Sequence, residues 1–315
     1  MPDIIRVAVL IPCHNEEATV ATVVSQFRRV LSDAEIWVFD NASTDRTAEI
    51  ASHAGAKVRC VNQLGKGMVV QRMFADVDAD VYIMVDGDDT YHPESAPIAL
   101  RRLLAEGLDL VNVARVYDNA FTRPGHVAGN RLIQTAVSRL FGQPVGDMLS
   151  GYKIISRRFA KSFPSLATGF EIETELTVFA LELRLPTAEI QAPYKARPVG
   201  SSSKLNTFRD GWRIGFSILR LYKHEHPARL FGAIATVLAL LALALGIPIV
   251  VLYLHTGLVP RLPTAVLVSS LVVLAALNVA IGIILDTVTQ GRREQRRLQY
   301  LAYDPPAGFF KCDDR

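Results

Sequence analysis

Cysteine is scarce in this chain. Cys13, Cys60 and Cys312 are the only three in 315 residues, and no two of them stand at a disulfide or zinc-type spacing. Neither a disulfide framework nor a cysteine-based metal site is available, and a reducing compartment suits the chain. Charge of one sign is also lacking. Lys and Arg number 34 against 31 Asp and Glu, a net charge of +3 that is too small to argue for nucleic acid. There is no internal repeat and no low-complexity tract. A cleavable leader is not expected either: Val7 to Ile11 is too short for a signal peptide and better suits a buried strand. The usual phosphate loops are missing as well. Gly65-Lys66-Gly67 is neither Gly-x-Gly-x-x-Gly nor a Walker loop, and Gly146 to Gly151 fails as a Walker loop because Tyr152 stands where lysine is required.

What the chain has in abundance is apolar surface. Half its residues are hydrophobic and its mean hydropathy is +0.23, which is high for a soluble protein. Leu230 to Leu254 and Leu262 to Leu285 run without one Asp, Glu, Lys, Arg or His. Each exceeds the roughly 20 helical residues that cross a bilayer core. Only His255 to Arg261 joins them, so a tight antiparallel hairpin is expected, with Pro248 placed to kink its first helix. Arg220, Lys223 and Arg229 precede the hairpin and Arg292, Arg293, Arg296 and Arg297 follow it, whereas the turn offers only Arg261. The positive-inside bias then puts both termini, and the large N-terminal part, in the cytosol. Thr207 to Tyr222 carries an apolar, aromatic stripe broken by Arg209, Arg213 and Arg220, and reads as an interfacial amphipathic helix. The expected layout is a cytosolic domain over 1–206, an interfacial helix over 207–229, the hairpin over 230–285 and a cytosolic tail over 286–315. Asn278 and Asp286 are placed to pair between helices or subunits, which leaves homo-oligomerisation open.

The N-terminal part alternates strand and helix. Val7 to Ile11, Glu35 to Phe39, Lys57 to Val61, Val81 to Val85 and Leu108 to Ala114 are short, β-branched-rich runs, separated by segments of helical period. That order predicts an α/β fold, a doubly wound, mostly parallel sheet whose ligands lie beyond the carboxyl ends of its strands. Polar groups collect there: Pro12 to Glu16, Asp40 to Asp45, Asn62 to Gly67, Asp86 to Asp89 and Arg115 each follow a strand.

Asp86-Gly87-Asp88 leaves a buried strand with two carboxylates separated by a glycine that permits a sharp turn. A hard divalent cation, Mg²⁺ or Mn²⁺, takes carboxylate oxygens plus substrate phosphates, so this turn reads as a metal site. Asp40, at a strand end, can accept from a base's ring N–H, whereas Asp45 is either a helix cap or a ligand. Glu16 either complements a helix dipole or binds nucleoside, and Glu17 is read as structural. Gly65-Lys66-Gly67 presents N–H groups and one cation suited to phosphate or sugar hydroxyls.

These motifs, in this order, resemble the catalytic domain of glycosyltransferase family 2, of the type called GT-A. Asp147 to Lys153, Gly169 to Glu173 and Arg197 to Lys204, followed by an interfacial helix and a membrane hairpin, are similar to the polyprenyl-phosphate sugar synthases, such as the dolichol-phosphate mannose synthases and their bacterial glucosyl relatives. The resemblance implies a nucleotide-sugar donor, GDP-mannose or UDP-glucose, and a polyprenyl phosphate acceptor, undecaprenyl or dolichyl. It implies that Pro12, Glu16, Asp40, Lys66, Asp86, Arg197 and Lys204 bind the donor, that Asp86, Asp88 and Thr90 bind the metal, and that Arg115, Arg131 and Ser150 receive the acceptor phosphate. Asp88, Asp147, Arg115 and Arg131 are the implied catalytic set. Asp147 fits either a carboxylate near the reacting sugar or a partner that orients an arginine.

Three rivals share parts of this pattern. A sugar-1-phosphate nucleotidyltransferase is also α/β with acidic strand ends, but would show a glycine- and lysine-rich phosphate loop near Val9 to Asn15, where none stands. A processive polysaccharide synthase shares the first domain but usually carries Gln-x-x-Arg-Trp and more membrane helices; here Trp212-Arg213 is reversed and one hairpin is seen. A non-catalytic, nucleotide-binding membrane adaptor would be suggested by loss of a metal aspartate, and both are present.

Overall fold

The computed structural model describes residues 5–117, 135, 138, 146–165, 169, 171–195 and 226–305. They divide between two compact units, one of Met1–Ile214 with Arg296–Arg315 and one of Gly215–Gln295.

The first unit is built on a seven-stranded sheet. Its strands are β1 (Val7–Cys13), β2 (Glu35–Asp40), β3 (Lys57–Cys60), β4 (Val81–Met84), β5 (Leu110–Tyr117), β6 (Lys153–Ser156) and β7 (Thr187–Tyr194), in the spatial order β3-β2-β1-β4-β6-β5-β7. β1 pairs in parallel with both β2 and β4, and β2 with β3. β6 runs antiparallel between β4 and β5, and β7 is parallel to β5. The mostly parallel sheet expected from the sequence is therefore present. The strand order corrects one implication of chain order, because β6 separates β5 from β4.

Helices cover both faces: α1 (Val20–Val30), α2 (Thr47–His53), α3 (Lys66–Asp76), α4 (Ser95–Glu106), α5 (Arg157–Ser162) and α6 (Ile172–Leu183). Alternation along β1 sends Val9 and Ile11 into a core shared with α1, α2 and α4, and Ala8 and Leu10 into one shared with α3, α5 and α6. The central strands are apolar on both faces because both are covered. In α1 the buried Val20, Val23, Val24 and Phe27 form a single stripe.

The second unit holds most of two long helices, α7 (Pro227–Thr256) and α8 (Leu262–Leu301). Both are long and apolar enough to cross a membrane, and they expose Val237, Leu240, Leu243, Val250, Val272, Leu277 and Ile283. α7 continues through Pro248 and ends at Gly257, which is left-handed with φ 69°. The buried positions of the pair are mainly small: Ala235 and Ala242 on α7, Leu271, Ala275 and Gly282 on α8. A Cβ at Gly282 would lie 3.2 Å from that of Phe231, and one at Gly246 3.2 Å from a Val268 methyl. This is close antiparallel packing through small residues, the usual way in which helices associate without a hydrophobic drive between them. Asn278, a candidate for pairing between helices, donates to the Leu274 carbonyl of its own helix at 2.8 Å. α8 also runs beyond the expected end of its span at Leu285. The expected interfacial helix over Thr207 to Tyr222 lies outside the described residues.

Candidate active site

The exits of β1, β2 and β4 converge. Cys13 stands opposite Asp40 in the β1–β2 register, and Leu10 opposite Met84 between β1 and β4. Thr19 Oγ1 donates to the Gly87 carbonyl at 2.7 Å, and a Cβ at Gly87 would meet Cys13 Sγ at 2.5 Å. Glycine is thus required where the acidic turn passes β1.

Asn41 ties these exits together. Its N–H reaches the Cys13 carbonyl at 2.8 Å, its Nδ2 donates to the carbonyls of Val61 (3.1 Å) and Gln63 (2.6 Å), and its Oδ1 accepts from Gly65 N at 2.8 Å. Sequence reasoning missed this role; the only signal is an Asx residue directly after a buried strand. Three non-glycine residues in these turns, Asn15, Ala42 and Asp89, have φ of 52°. Backbone held in this costly region concentrates at functional sites, where surrounding contacts over-determine it.

Asp40 is 5% exposed. Its Oδ2 accepts from Ser43 N at 3.3 Å, whereas Oδ1 has no hydrogen-bond partner among the described residues. Asp45 is resolved as a cap: its carboxylate accepts from Thr47 N at 3.0 Å and from Glu17 N at 3.1 Å. Glu16 opens α1, its carbonyl accepting from Thr19 and Val20 N–H, and its half-buried carboxylate stays beside the crevice near Thr19. Pro12 occupies the β1 end beside Phe39.

Asp86 pairs with Lys66, which pairs in turn with Glu173 at the start of α6. Burial alone would lower the lysine's pKa, but the two carboxylates outweigh it and hold it above the ordinary value. Burial pushes the Glu173 carboxyl up, with Lys66 opposing, and its Oε2 has no hydrogen-bond partner among the described residues. Glu173, the last residue of the Gly169 to Glu173 motif but given no role of its own there, emerges as a site residue. A Cβ at Gly151 would lie 2.3 Å from Asp86 Oδ2.

Two of the expected site residues make hydrogen bonds within their own turns. Thr90 is fully buried and its hydroxyl donates to Asp88 Oδ1 at 2.6 Å, so it orients the aspartate. Ser150, also fully buried, donates to the Val113 carbonyl at 2.6 Å and accepts from Tyr152 N. Its hydroxyl braces the turn beside β5.

Asp147 takes the orienting alternative. It accepts from Arg115 Nε at 2.6 Å, Nη2 at 2.8 Å and the backbone N at 3.2 Å. Burial would raise its carboxyl, but these bonds and the guanidinium charge hold it below its usual range. Its loop is fastened by Glu189, whose Oε2 accepts from Asp147 N at 3.0 Å and Asn112 Nδ2 at 2.9 Å. Asn112 Oδ1 in turn receives the buried Lys153 ammonium at 2.7 Å. Arg131, Arg197 and Lys204 lie outside the described residues.

Residues 8–163 match the family described as Glycosyl transferase family 2. Glycosyltransferase AglJ of Haloferax volcanii is 36% identical over 257 residues, covering 80% of this chain and 83% of its own length. This chain belongs to glycosyl transferase family 2. The Dolichyl-phosphate hexose transferase of the same organism is 30% identical, over 69% of this chain and 94% of the relative. Among solved structures, glucosyl-3-phosphoglycerate synthase from Mycobacterium tuberculosis, in complex with Mn²⁺, UDP and glucosyl-3-phosphoglycerate, is similar with a TM-score of 0.58 and 26% identity, over 69% of this chain and 80% of that one.

The glycosyltransferase keeps a donor set that fits a hard divalent cation. Asp86 and Asp88 supply carboxylate oxygens at one turn, and the absent side chain at Gly151 leaves Asp86 room. Among the described residues no third His, Cys, Asp or Glu closes a cage. That suits a cation which binds through one or two carboxylates and completes its shell with water and phosphate.

Proposed function

We propose that this glycosyltransferase is a membrane enzyme that moves a hexose from a nucleotide-sugar, GDP-mannose or UDP-glucose, to a polyprenyl phosphate at the cytosolic face. The reading is carried by the convergence of a buried, half-satisfied Asp40, the Asp86–Asp88 turn and the Asp147-held Arg115 at one end of the sheet. It is supported by one relative named for dolichyl phosphate and by undecaprenyl-phosphate transferases that are about a quarter identical. Two apolar helices suited to crossing a membrane are what an enzyme with a lipid-borne acceptor needs.

In this reading Asp40 Oδ1 accepts from the N–H edge of the donor's base. Asp86 and Asp88 hold Mg²⁺ or Mn²⁺, which supplies charge stabilisation to the departing diphosphate when bound. The acceptor's phosphate monoester, with a second pKa near 6, is already largely dianionic at neutral pH, so no side chain need deprotonate it. Placement is what the protein contributes. Arg115, locked by Asp147, presents a cation of fixed orientation to the phosphate; Arg131, Arg197 and Lys204 are proposed to add further contacts to acceptor and diphosphate. A phosphate oxygen attacks the anomeric carbon, that carbon's bond to the diphosphate oxygen breaks, the nucleoside diphosphate leaves and configuration inverts.

The test is to incubate membranes that contain the protein with radiolabelled GDP-mannose or UDP-glucose and undecaprenyl phosphate, with and without Mg²⁺ or Mn²⁺. Label should pass into a lipid product only with the cation, and Asp88→Asn should abolish it. Label that stays water-soluble with every donor overturns the reading; a growing, lipid-free polymer points to a processive synthase instead.

A further inference from the structure

Lys66 and Glu173 meet where two helices on one face of the sheet begin. Lys66 is the first residue of α3 and Glu173 the second of α6, and both helices pack on the core that takes Ala8 and Leu10 from β1. Glu173 Oε1 lies 2.5 Å from Lys66 Nζ, and the same ammonium holds Asp86 Oδ1. Side-chain exposure falls from 27% at Asp86 through 10% at Lys66 to 6% at Glu173. The trio therefore runs inward from the crevice, with the carboxylate assigned to the cation outermost and Glu173 behind the lysine.

One ammonium needs one carboxylate. Asp86 alone would neutralise Lys66, and the second carboxylate leaves the trio with a surplus negative charge in a buried place, where charge is costly unless matched. Glu173 Oε2 has no hydrogen-bond partner among the described residues, so that oxygen's share of the charge is not passed to a neighbouring donor. Asp88, 4% exposed, stands two residues after Asp86 in the same turn. These three carboxylates and one ammonium carry a net charge of two negative units, which one divalent cation offsets. Without Glu173 the net falls to one, and Lys66 would set its whole charge against Asp86.

We infer that Glu173 is a positioning residue for the cation: acting through Lys66, it takes up the ammonium's charge so that Asp86 keeps its own for Mg²⁺ or Mn²⁺. The inference rests on the reading of Asp86 and Asp88 as the cation's carboxylates. A lysine that served only to orient Asp86 would need no second carboxylate. A lysine that stood in for the cation would leave no surplus negative charge beside it.

The test titrates Mn²⁺ into the full chain in detergent micelles, with the free ion read by electron paramagnetic resonance. It compares wild type, Asp88→Asn, Glu173→Gln, Lys66→Met, and Lys66→Met with Glu173→Gln. Glu173→Gln should weaken Mn²⁺ binding roughly tenfold or more, the scale of one uncompensated charge a few ångströms away. Lys66→Met should not weaken it, and the double variant, which removes one charge of each sign, should return to the wild-type affinity. If Glu173→Gln alone fails to fold, Lys66→Met and the double variant decide. An unchanged affinity in Glu173→Gln, a loss in Lys66→Met, or a double variant that stays weak overturns the inference. Wild type that binds no Mn²⁺, or Asp88→Asn that binds it as wild type does, overturns the cation reading itself.

Discussion

Gly151→Ala tests the placement of Asp86 without altering a charge. The added Cβ would lie 2.3, 2.7 and 2.8 Å from Asp86 Oδ2, Cγ and Oδ1, against ordinary carbon contacts of about 3.5 Å. The carboxylate must therefore retreat by about 1 Å. Lys66 already touches it and β4 behind it is fully buried, so the retreat carries it away from the position seen here. Gly151 is not in the left-handed region, so no backbone strain is added and the fold should lose only the ~1–3 kcal/mol of local overpacking. Misplacing a reacting or binding group by about 1 Å costs on the order of 100-fold in rate, or ~2.7 kcal/mol. Transfer of labelled sugar should fall by about that factor, and Mn²⁺ affinity, read by electron paramagnetic resonance, should weaken while the unfolding transition stays cooperative. Wild-type turnover with unchanged Mn²⁺ affinity would refute the claim that Asp86 works from the position seen here.

Asp40→Asn should raise the donor KM by roughly tenfold or more, the worth of a charged acceptor facing a base N–H, with no loss of thermal stability; an unchanged donor KM would remove Asp40 from the nucleoside site. Asp147→Asn leaves the half-buried Arg115 guanidinium without its countercharge and should cost about 3 kcal/mol or more of unfolding free energy, visible in a denaturant titration. Burial lowers the Lys153 ammonium to about 8 from 10.5. Between those values the unfolded chain holds the proton that the folded one has released, so stability rises with pH across that window. Lys153→Met should flatten the rise, and a slope identical in variant and wild type would show that the buried ammonium does not titrate there.

β1, β2, β4 and β5 were readable because each is a short, largely apolar run bounded by polar turns; β3, an exposed edge strand of Lys57, Val58, Arg59 and Cys60, was readable mainly from its place in the alternation. β6 and β7 were not. β6 is a four-residue strand that opens with Lys153, and a lysine argues against a buried strand unless its ammonium is satisfied. Here Asn112 and Thr177 satisfy it, from β5 and α6, which are distant in sequence. β7 alternates exposed and half-buried positions through Pro193, as an edge strand does, and so reads as a loop. The length of α8 was hidden for a different reason. Residues 286–301 contain no proline and, from Arg292 onward, are mostly Arg, Glu, Gln and Leu, good helix formers, so composition marks where the apolar run ends and gives no signal for the helix to stop there.

The site divides along a similar line. Its location followed from strand ends, and its residue types from the motifs. Which group meets which did not follow, and side-chain reach explains why. Thr90 and Ser150 are short, and a short hydroxyl in a turn satisfies itself on the nearest oxygen; each does so, on Asp88 and on the Val113 carbonyl. Lys66 and Arg115 are long enough to cross between elements, and each is drawn to a carboxylate elsewhere in the chain, Lys66 to Asp86 and Glu173, Arg115 to Asp147. Such pairing fixes the orientation of the cations, so that in the proposed reaction they need not reorganise when diphosphate and lipid phosphate enter. The buried acceptor atoms left without donors among the described residues include Asp40 Oδ1 and Glu173 Oε2. Asp40 stands beside Cys13 at the exit of β1 and β2, and Glu173 meets Asp86 through Lys66. Stability alone does not favour two unsatisfied buried carboxylate oxygens, so their cost is best understood as the part of the site that a ligand's own donors complete.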